Sequence, residues 1–251
     1  MKGKRAIVMG ASSGIGMEVS KLLLADGWTI GIAARRSDLL LQLKEKSPDR
    51  VEVETIDVKS DEAEDLLLSL IAMVGGMDLF FYAPGIGKQN PSLEASIETA
   101  TVTTNALGFT RMVGVAYRYM ANHGGGHIAA ITSIAGTMGL GPAPSYSATK
   151  AFQNTYLQAL EQQANTRKLK IHFTDIRPGF VDTALLNDGK NYPMLLNKED
   201  VAHEIMEAIN KKSHVRVIDW RYRILTALWR CIPRCIWRHL PLSVKDKKKD
   251  A

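Results

Sequence analysis

The sequence predicts a single-domain α/β fold: a doubly wound, seven-stranded parallel sheet followed by a basic amphipathic C-terminal helical tail. Three observations predict it. Short apolar runs alternate with longer amphipathic stretches, a glycine-rich turn stands directly between the first strand and the first helix, and the charge is split unevenly along the chain. Of 251 residues, 45% are hydrophobic and 23% charged, with 20 Gly, 9 Pro and 2 Cys, which excludes collagen-like, disordered and disulfide-stapled chains. A chain of this length buries roughly three quarters of its unfolded surface, enough for one core without staples.

The first strand is the apolar run at 5–9, which ends at Gly10. Further strands are read at 28–33, 51–56, 77–82, 127–132, 170–176 and 214–218, as short runs bounded by polar or Gly residues. Between them, helical spacing of apolar residues places helices at 15–26, 37–46, 60–74, 94–121, 145–167 and 198–211, the last capped by Asn197. Regular alternation of strand and helix demands right-handed crossovers, and such sheets bind ligands beyond the carboxyl ends of their strands.

Residues 1–218 are read as the domain and 219–251 as an extension. From Lys211 to Ala251 the chain carries 12 Lys and Arg against 3 Asp and Glu, a net of +9, which leaves residues 1–210 at −3. The formal +6 is therefore a property of the tail. No run reaches the roughly 18 apolar residues of a membrane span, and no apolar signal region precedes Arg5, so a reducing cytoplasmic setting is expected. Cys231 and Cys235 have no ligand cluster beyond His239, and His123, His127, His172 and His203 show no ligand spacing. No metal is expected.

After the first strand comes Gly10-Ala11-Ser12-Ser13-Gly14-Ile15-Gly16. Glycines there let the backbone turn tightly and approach a pyrophosphate, whose charge the free amides of a helix N-terminus hold. Farther along, Tyr146 and Lys150 are four residues apart in Tyr-Ser-Ala-Thr-Lys, so they share one helix face. A free tyrosine has a pKa of about 10, and a neighbouring ammonium favours its phenolate, which suits it to proton exchange near neutrality. Ser133 ends the fifth strand thirteen residues earlier.

The glycine spacing, Ser133, Tyr146, Lys150 and Asn105 together resemble the short-chain dehydrogenase/reductase family, over about residues 4–218. That resemblance implies a Rossmann-like nicotinamide dinucleotide fold. It assigns Ser133 to the substrate carbonyl, Tyr146 to proton transfer, Lys150 to Tyr146 and the cofactor, and Asn105 to a proton-relay water near the lysine. On the cofactor side it implies Gly10, Ser12, Ser13, Gly14, Ile15 and Gly16, then Asp57 and Val58 at the adenine. At the nicotinamide end it implies Pro178, Gly179, Val181 and Thr183, with Val181 offering backbone groups to the carboxamide. One motif departs from the family, because Tyr82-Ala83-Pro84-Gly85 stands where relatives read Asn-Asn-Ala-Gly. Ala83 and Gly85 are still expected to border the cofactor, without the asparagine hydrogen bonds.

At the end of the second strand, Ala34 stands where an NAD site offers an acid to the ribose, and Arg35 follows. NADP(H) is therefore expected over NAD(H), with Arg35 on the 2′-phosphate and Arg36 solvated. Residues 183–197 are expected to form a lid, rich in Leu and Met, over a small hydrophobic ketone or alcohol. The expected reaction is hydride transfer between nicotinamide and a carbonyl or alcohol carbon, in the direction of ketone reduction. A lipid-derived ketone such as a 3-keto long-chain lipid is one candidate substrate. The alternative is an NADP(H)-binding sensor or scaffold without turnover.

In the tail, a helix from about Arg221 places Ile224, Leu225, Leu228, Trp229, Ile232, Cys235 and Ile236 on one side and Arg223, Arg230, Arg234 and Arg238 roughly opposite. Pro233 is expected to divide it. With Lys245, Lys247, Lys248 and Lys249 beyond, the pattern suits peripheral contact with anionic lipid, or packing on the body or on another subunit of a homodimer or homotetramer. The sequence leaves these open. Nucleic acid is not expected as a partner.

Overall fold

A computed structural model describes residues 3–187 and 189–242, so Lys245, Lys247, Lys248 and Lys249 lie outside the described residues. Seven parallel strands form one sheet: β1 (Arg5–Met9), β2 (Thr29–Ala34), β3 (Val51–Thr55), β4 (Leu79–Tyr82), β5 (Gly126–Ile131), β6 (Ile171–Pro178) and β7 (Val215–Ile218). Their spatial order is β3-β2-β1-β4-β5-β6-β7. The chain crosses from one half of the sheet to the other between β3 and β4, so the carboxyl ends of β1 and β4 open the crevice where such sheets bind ligands. Met9 pairs with Tyr82 there, and the Ala83 amide donates to the Met9 carbonyl at 3.1 Å.

The helices are α1 (Gly14–Ala25), α2 (Ser37–Lys46), α3 (Ala63–Val74), α4 (Ala95–Val102), α5 (Phe109–Asn122), α6 (Pro144–Thr166), α7 (Lys198–Asn210), α8 (Trp220–Cys231) and α9 (Arg234–Trp237). Side chains alternate across a strand, and β1 divides accordingly. Ala6 and Val8 join the core under α1, α2 and α7, while Ile7 and Met9 join the core under α3, α5 and α6. A sheet buried on both faces requires continuous apolar strands, and Leu79-Phe80-Phe81-Tyr82 is buried throughout. Each such side chain contributes about 1.5–3 kcal/mol on burial.

Several boundaries differ from the expected ones, and three of them for identifiable reasons. The helix expected over 94–121 is two helices joined by a π-type turn, Thr103–Gly108. Asn105 turns inward there, accepting from the Ile86 amide at 2.9 Å and donating to the Ile86 carbonyl at 2.7 Å, and Gly108 lies so close to Val58 that a Cβ would stand 2.7 Å from its Cγ2. α3 begins at Ala63 because Asp57 and Ser60 hold a turn instead: the Asp57 carboxylate accepts from the Lys59 amide and the Ser60 hydroxyl from the Glu62 amide. β6 runs on through Pro178, which pairs with Ile218 as the last residue of the strand. The expected cap of α7 is present, with Asn197 Oδ1 accepting from the Glu199 and Asp200 amides at 2.8 and 3.1 Å.

Tyr82, from the motif that departs from the family, is fully buried and packs edge-on against Phe109 with ring centroids 5.1 Å apart. Its hydroxyl has no hydrogen-bond partner among the described residues, and burial pushes its pKa up. A buried hydroxyl without a partner costs about 1–3 kcal/mol, whereas the ring alone fills the site. Tyr82→Phe is therefore expected to stabilise the fold by about 1 kcal/mol, read as a melting temperature higher by roughly 2–4 °C. A lower melting temperature would show that the hydroxyl has a partner.

Candidate active site

The turn after β1 is built to take a group against its backbone. Gly10 (φ 79°) and Gly14 (φ 56°) occupy the left-handed region, which side chains disfavour. A Cβ on Gly16 would fall onto the Gly10 carbonyl oxygen, and one on Gly10 would stand 2.9 Å from the Pro84 nitrogen. The turn thus packs on the exit of β4 through the very residues that replace the family's Asn-Ala pair. Ser13 precedes α1 without a side-chain cap, the first turn of α1 carries no acid, and Ser13 to Gly16 line the cavity, an arrangement that suits an anion.

Beside this turn, Ala34 ends β2 and the exposed Arg35 and Arg36 follow; both line the cavity together with Lys59, Asp57 and Val58. Arg36 departs from its expected role as a solvated charge. Its guanidinium donates to Ser12 Oγ at 3.1 Å and to Ser13 Oγ at 2.6 Å, tying the start of α2 to the glycine turn. The Asp57 carboxylate is held by the Lys59 amide at 3.0 Å and the Lys59 ammonium at 3.5 Å.

On the other side of the crevice, β5 delivers Ser133 and α6 delivers Tyr146 and Lys150. Pro144 starts α6 at a position where its missing N–H costs nothing, which puts Tyr146 in the first turn, next to the cavity. Gly87 lies against the ring, since a Cβ there would stand 2.6 Å from Tyr146 Cδ2. Burial pushes the Tyr146 phenol up, and its hydrogen bond with Ser133 pulls it back down. Ser133 Oγ also accepts from the Ala135 amide at 3.0 Å, which fixes its direction.

Lys150 is only 4% exposed, and its Nζ sits 5.8 Å from the Tyr146 ring centroid. It donates to the Ile131 carbonyl at 3.1 Å and to Gln153 Oε1 at 3.0 Å. Helical spacing led to the expectation of an ammonium that drives the phenol toward phenolate. The balance of shifts in the structure differs from that expectation. Burial holds the Lys150 pKa down at about 7, only partly offset by the attraction of Asp175, and the downward pull on Tyr146 comes from Ser133. Asn105 is fully buried and reaches the lysine indirectly: its side chain is taken by Ile86 and Thr149, and its carbonyl accepts from Gln153 Nε2 at 2.8 Å. Gln153 thus bridges Lys150 to the π-type turn.

After β6, Pro178, Gly179, Val181 and Thr183 line the same cavity. A short bridge joins Val181 to Leu196, using the Asp182 amide and Leu196 carbonyl at 2.9 Å and the Leu196 amide and Phe180 carbonyl at 2.8 Å. Those bonds leave the N–H of Val181 itself out of the bridge. Thr183 to Leu186 and Asn191 to Met194 line the same cavity, the first stretch containing a 3-10 turn, Ala184–Leu186.

The tail closes this end. Tyr222 on α8 is fully buried; its hydroxyl lies 2.9 Å from the Pro193 carbonyl and 3.0 Å from that of Met194, and accepts from the Phe180 amide at 3.2 Å. Trp237 on α9 stacks edge-on with Trp229 at 5.4 Å and donates from Nε1 to the Gly139 carbonyl at 2.7 Å. Pro233 divides the two helices as expected, but the single apolar side does not exist. Leu225 and Trp229 turn inward and line the cavity, while Ile224, Leu228, Cys235 and Ile236 face outward.

One cavity of about 1210 Å³ therefore collects the glycine turn, Arg35, Asp57, Val58, Ala83, Gly85, Ser133, Tyr146, Lys150 and the 178–183 segment. Asn105 stands behind it. The Cβ-less surface at Gly10 and Gly16, the uncapped start of α1 and the basic end near Arg35 fit a dinucleotide whose anionic centre lies on the turn. Sequence reasoning missed Arg36, Gly87, Gln153, Tyr222, Leu225 and Trp229. Gln153 is three residues after Lys150 on α6, a spacing that signals contact, whereas Gly87 has no local signal. Among the described residues no group of three or more His, Cys, Asp or Glu is placed to hold a metal ion.

Comparison with known proteins agrees with this geometry. A family model for short chain dehydrogenases matches residues 4–192. An uncharacterized oxidoreductase of Staphylococcus aureus (strain MW2) is 30% identical over 223 residues, covering 85% of this chain and 94% of the relative. Among solved structures, a 3-ketoacyl-(acyl-carrier-protein) reductase from Brucella melitensis complexed with NADH matches with a TM-score of 0.76 at 21% identity, over 86% of this chain and 97% of its own. An alcohol dehydrogenase from the archaeon Thermococcus sibiricus complexed with 5-hydroxy-NADP matches with a TM-score of 0.75 at 22% identity, over 86% and 96%.

Proposed function

Because the chain belongs to the short-chain dehydrogenase/reductase family of nicotinamide-dependent oxidoreductases, we propose that it reduces an apolar, lipid-derived ketone with NADP(H). The observation behind this reading is the convergence of Ser133, Tyr146 and Lys150 on the same cavity as the glycine turn. A nicotinamide dinucleotide bound along that cavity supplies the hydride. Ser133 Oγ hydrogen-bonds the substrate carbonyl oxygen, and the Tyr146 hydroxyl gives that oxygen its proton as the alcohol forms. Lys150, charged below about pH 7, would support both the tyrosine and the ribose; Gln153 and Asn105 hold it in place. Val181 would offer its backbone to the carboxamide, and Thr183 would hydrogen-bond the carboxamide or phosphate.

Charge supports the choice of cofactor. Ala34 leaves no carboxylate to repel a 2′-phosphate, and Arg35 and Lys59 stand at that end of the cavity. The substrate end is apolar, with Leu185, Met194, Leu225 and Trp229 around it, which supports a long-chain ketone such as a 3-keto lipid.

Initial rates with NADPH and NADH across ketones of rising chain length test the reading. We expect faster turnover with NADPH and rates that rise with chain length. Arg35→Ala is expected to cut the preference for NADPH by about tenfold or more, through loss of a charge-assisted contact. Arg36→Ala, which loosens Ser12 and Ser13, is expected to weaken both cofactors alike. Binding of NADPH without turnover of any ketone would instead favour a sensor.

A further inference from the structure

Helix α8, which lines the cavity with Tyr222, Leu225 and Trp229, has a second apolar face that the fold leaves uncovered. On α8, Tyr222, Thr226 and Trp229 are turned to the body, and opposite them Trp220, Ile224 and Leu228 are 63, 52 and 60% exposed. Their spacing of four residues sets them in one row along the helix. Beyond Pro233, Ile236 on α9 is also 54% exposed. Such a contiguous apolar strip on a surface helix marks an interaction site.

Its chemistry selects the partner. Between Trp220 and Leu242 the chain has five arginines and no Asp or Glu, and Arg223, Arg230, Arg234 and Arg238 are all exposed. Successive residues turn by about 100°, which places Arg223 and Arg230 along the flank of the strip. The sequence beyond residue 242 adds four lysines against two aspartates. A second copy of the chain meeting this face by a two-fold axis would set arginines against arginines. An anionic bilayer takes the apolar row into its acyl boundary and the guanidinium groups at its headgroups.

We propose that the outer face of α8 and α9 docks on an anionic lipid bilayer. Leu225 and Trp229 on the inner face line the substrate cavity, so docking sets the roof of that cavity against the lipid. The lipid-ketone reading above gains a route by which the substrate enters from the membrane; that part rests on the reading, while docking does not.

The test is flotation of the full chain with NADPH on phosphatidylcholine vesicles, with and without phosphatidylglycerol. We expect binding to the anionic vesicles that weakens with salt. The Ile224→Glu/Leu228→Glu variant and, separately, Arg223→Glu/Arg230→Glu are expected to reduce binding about tenfold or more, with turnover of a short soluble ketone unchanged. Equal binding of variants and parent, or no binding to anionic vesicles, overturns the proposal. So does a dimer in light scattering that the Ile224→Glu/Leu228→Glu variant dissociates while the parent fails to float. Flotation combined with no turnover of any ketone would leave docking standing and remove the substrate reading.

Discussion

Tyr146→Phe is expected to lower kcat for ketone reduction by about 10²–10⁴-fold while NADP(H) binding changes by no more than about twofold. Phenylalanine keeps the ring that Gly87 packs against and that Lys150 overlies, so the shape of the site is retained and only the acid is removed. No other group replaces it. Ser133 is an alcohol with no base at hand, and Lys150 is committed to Ile131 and Gln153. Steady-state rates beside a fluorescence titration of NADPH separate the two effects. A variant with unimpaired turnover would remove Tyr146 from the chemistry.

Lys150→Met is expected to lower kcat by about 10²-fold and to remove a pH dependence of cofactor binding. The sign follows from burial. Desolvation brings the Lys150 pKa from its usual 10.5 down to about 7, so the amine is charged below that pH and neutral above it. An anionic cofactor is held better by the charged form, so affinity for NADPH should fall as pH rises through about 7. In Lys150→Met that fall should be absent. A fall of the same size in both proteins would assign it to another group.

The order of strands and helices was legible because buried parallel strands and amphipathic helices leave different periods in a sequence. The glycine turn, Ser133, Tyr146 and Lys150 were legible because each sits at the end of an element whose type is clear. What escaped depended on contacts between distant residues. Nothing near Asn105 announces a π-type turn; it forms because Ile86, 19 residues earlier, takes both polar atoms of its side chain. Arg36 read as solvated because Ser12 and Ser13 meet it only when β1 and β2 pair.

The tail shows the same limit in another form. Helical spacing groups Ile224, Leu225, Leu228 and Trp229 together, since adjacent apolar residues widen one stripe. Only the position of the body separates them. Tyr222, pinned to the Pro193 and Met194 carbonyls, rotates α8 so that Leu225 and Trp229 enter the cavity and Ile224 and Leu228 do not. Its polar contacts are therefore what turns a generic amphipathic helix into a roof on one side and an exposed face on the other.

The most direct measurement is isotopic. NADPH carrying deuterium on the transferred position of nicotinamide C4 is mixed with a long-chain 3-keto substrate, and the product is examined by mass spectrometry. The parent chain is expected to place one deuterium on the carbinol carbon, and Tyr146→Phe to give almost no product. Alcohol formed without deuterium, or the same labelled yield from both proteins, would contradict it.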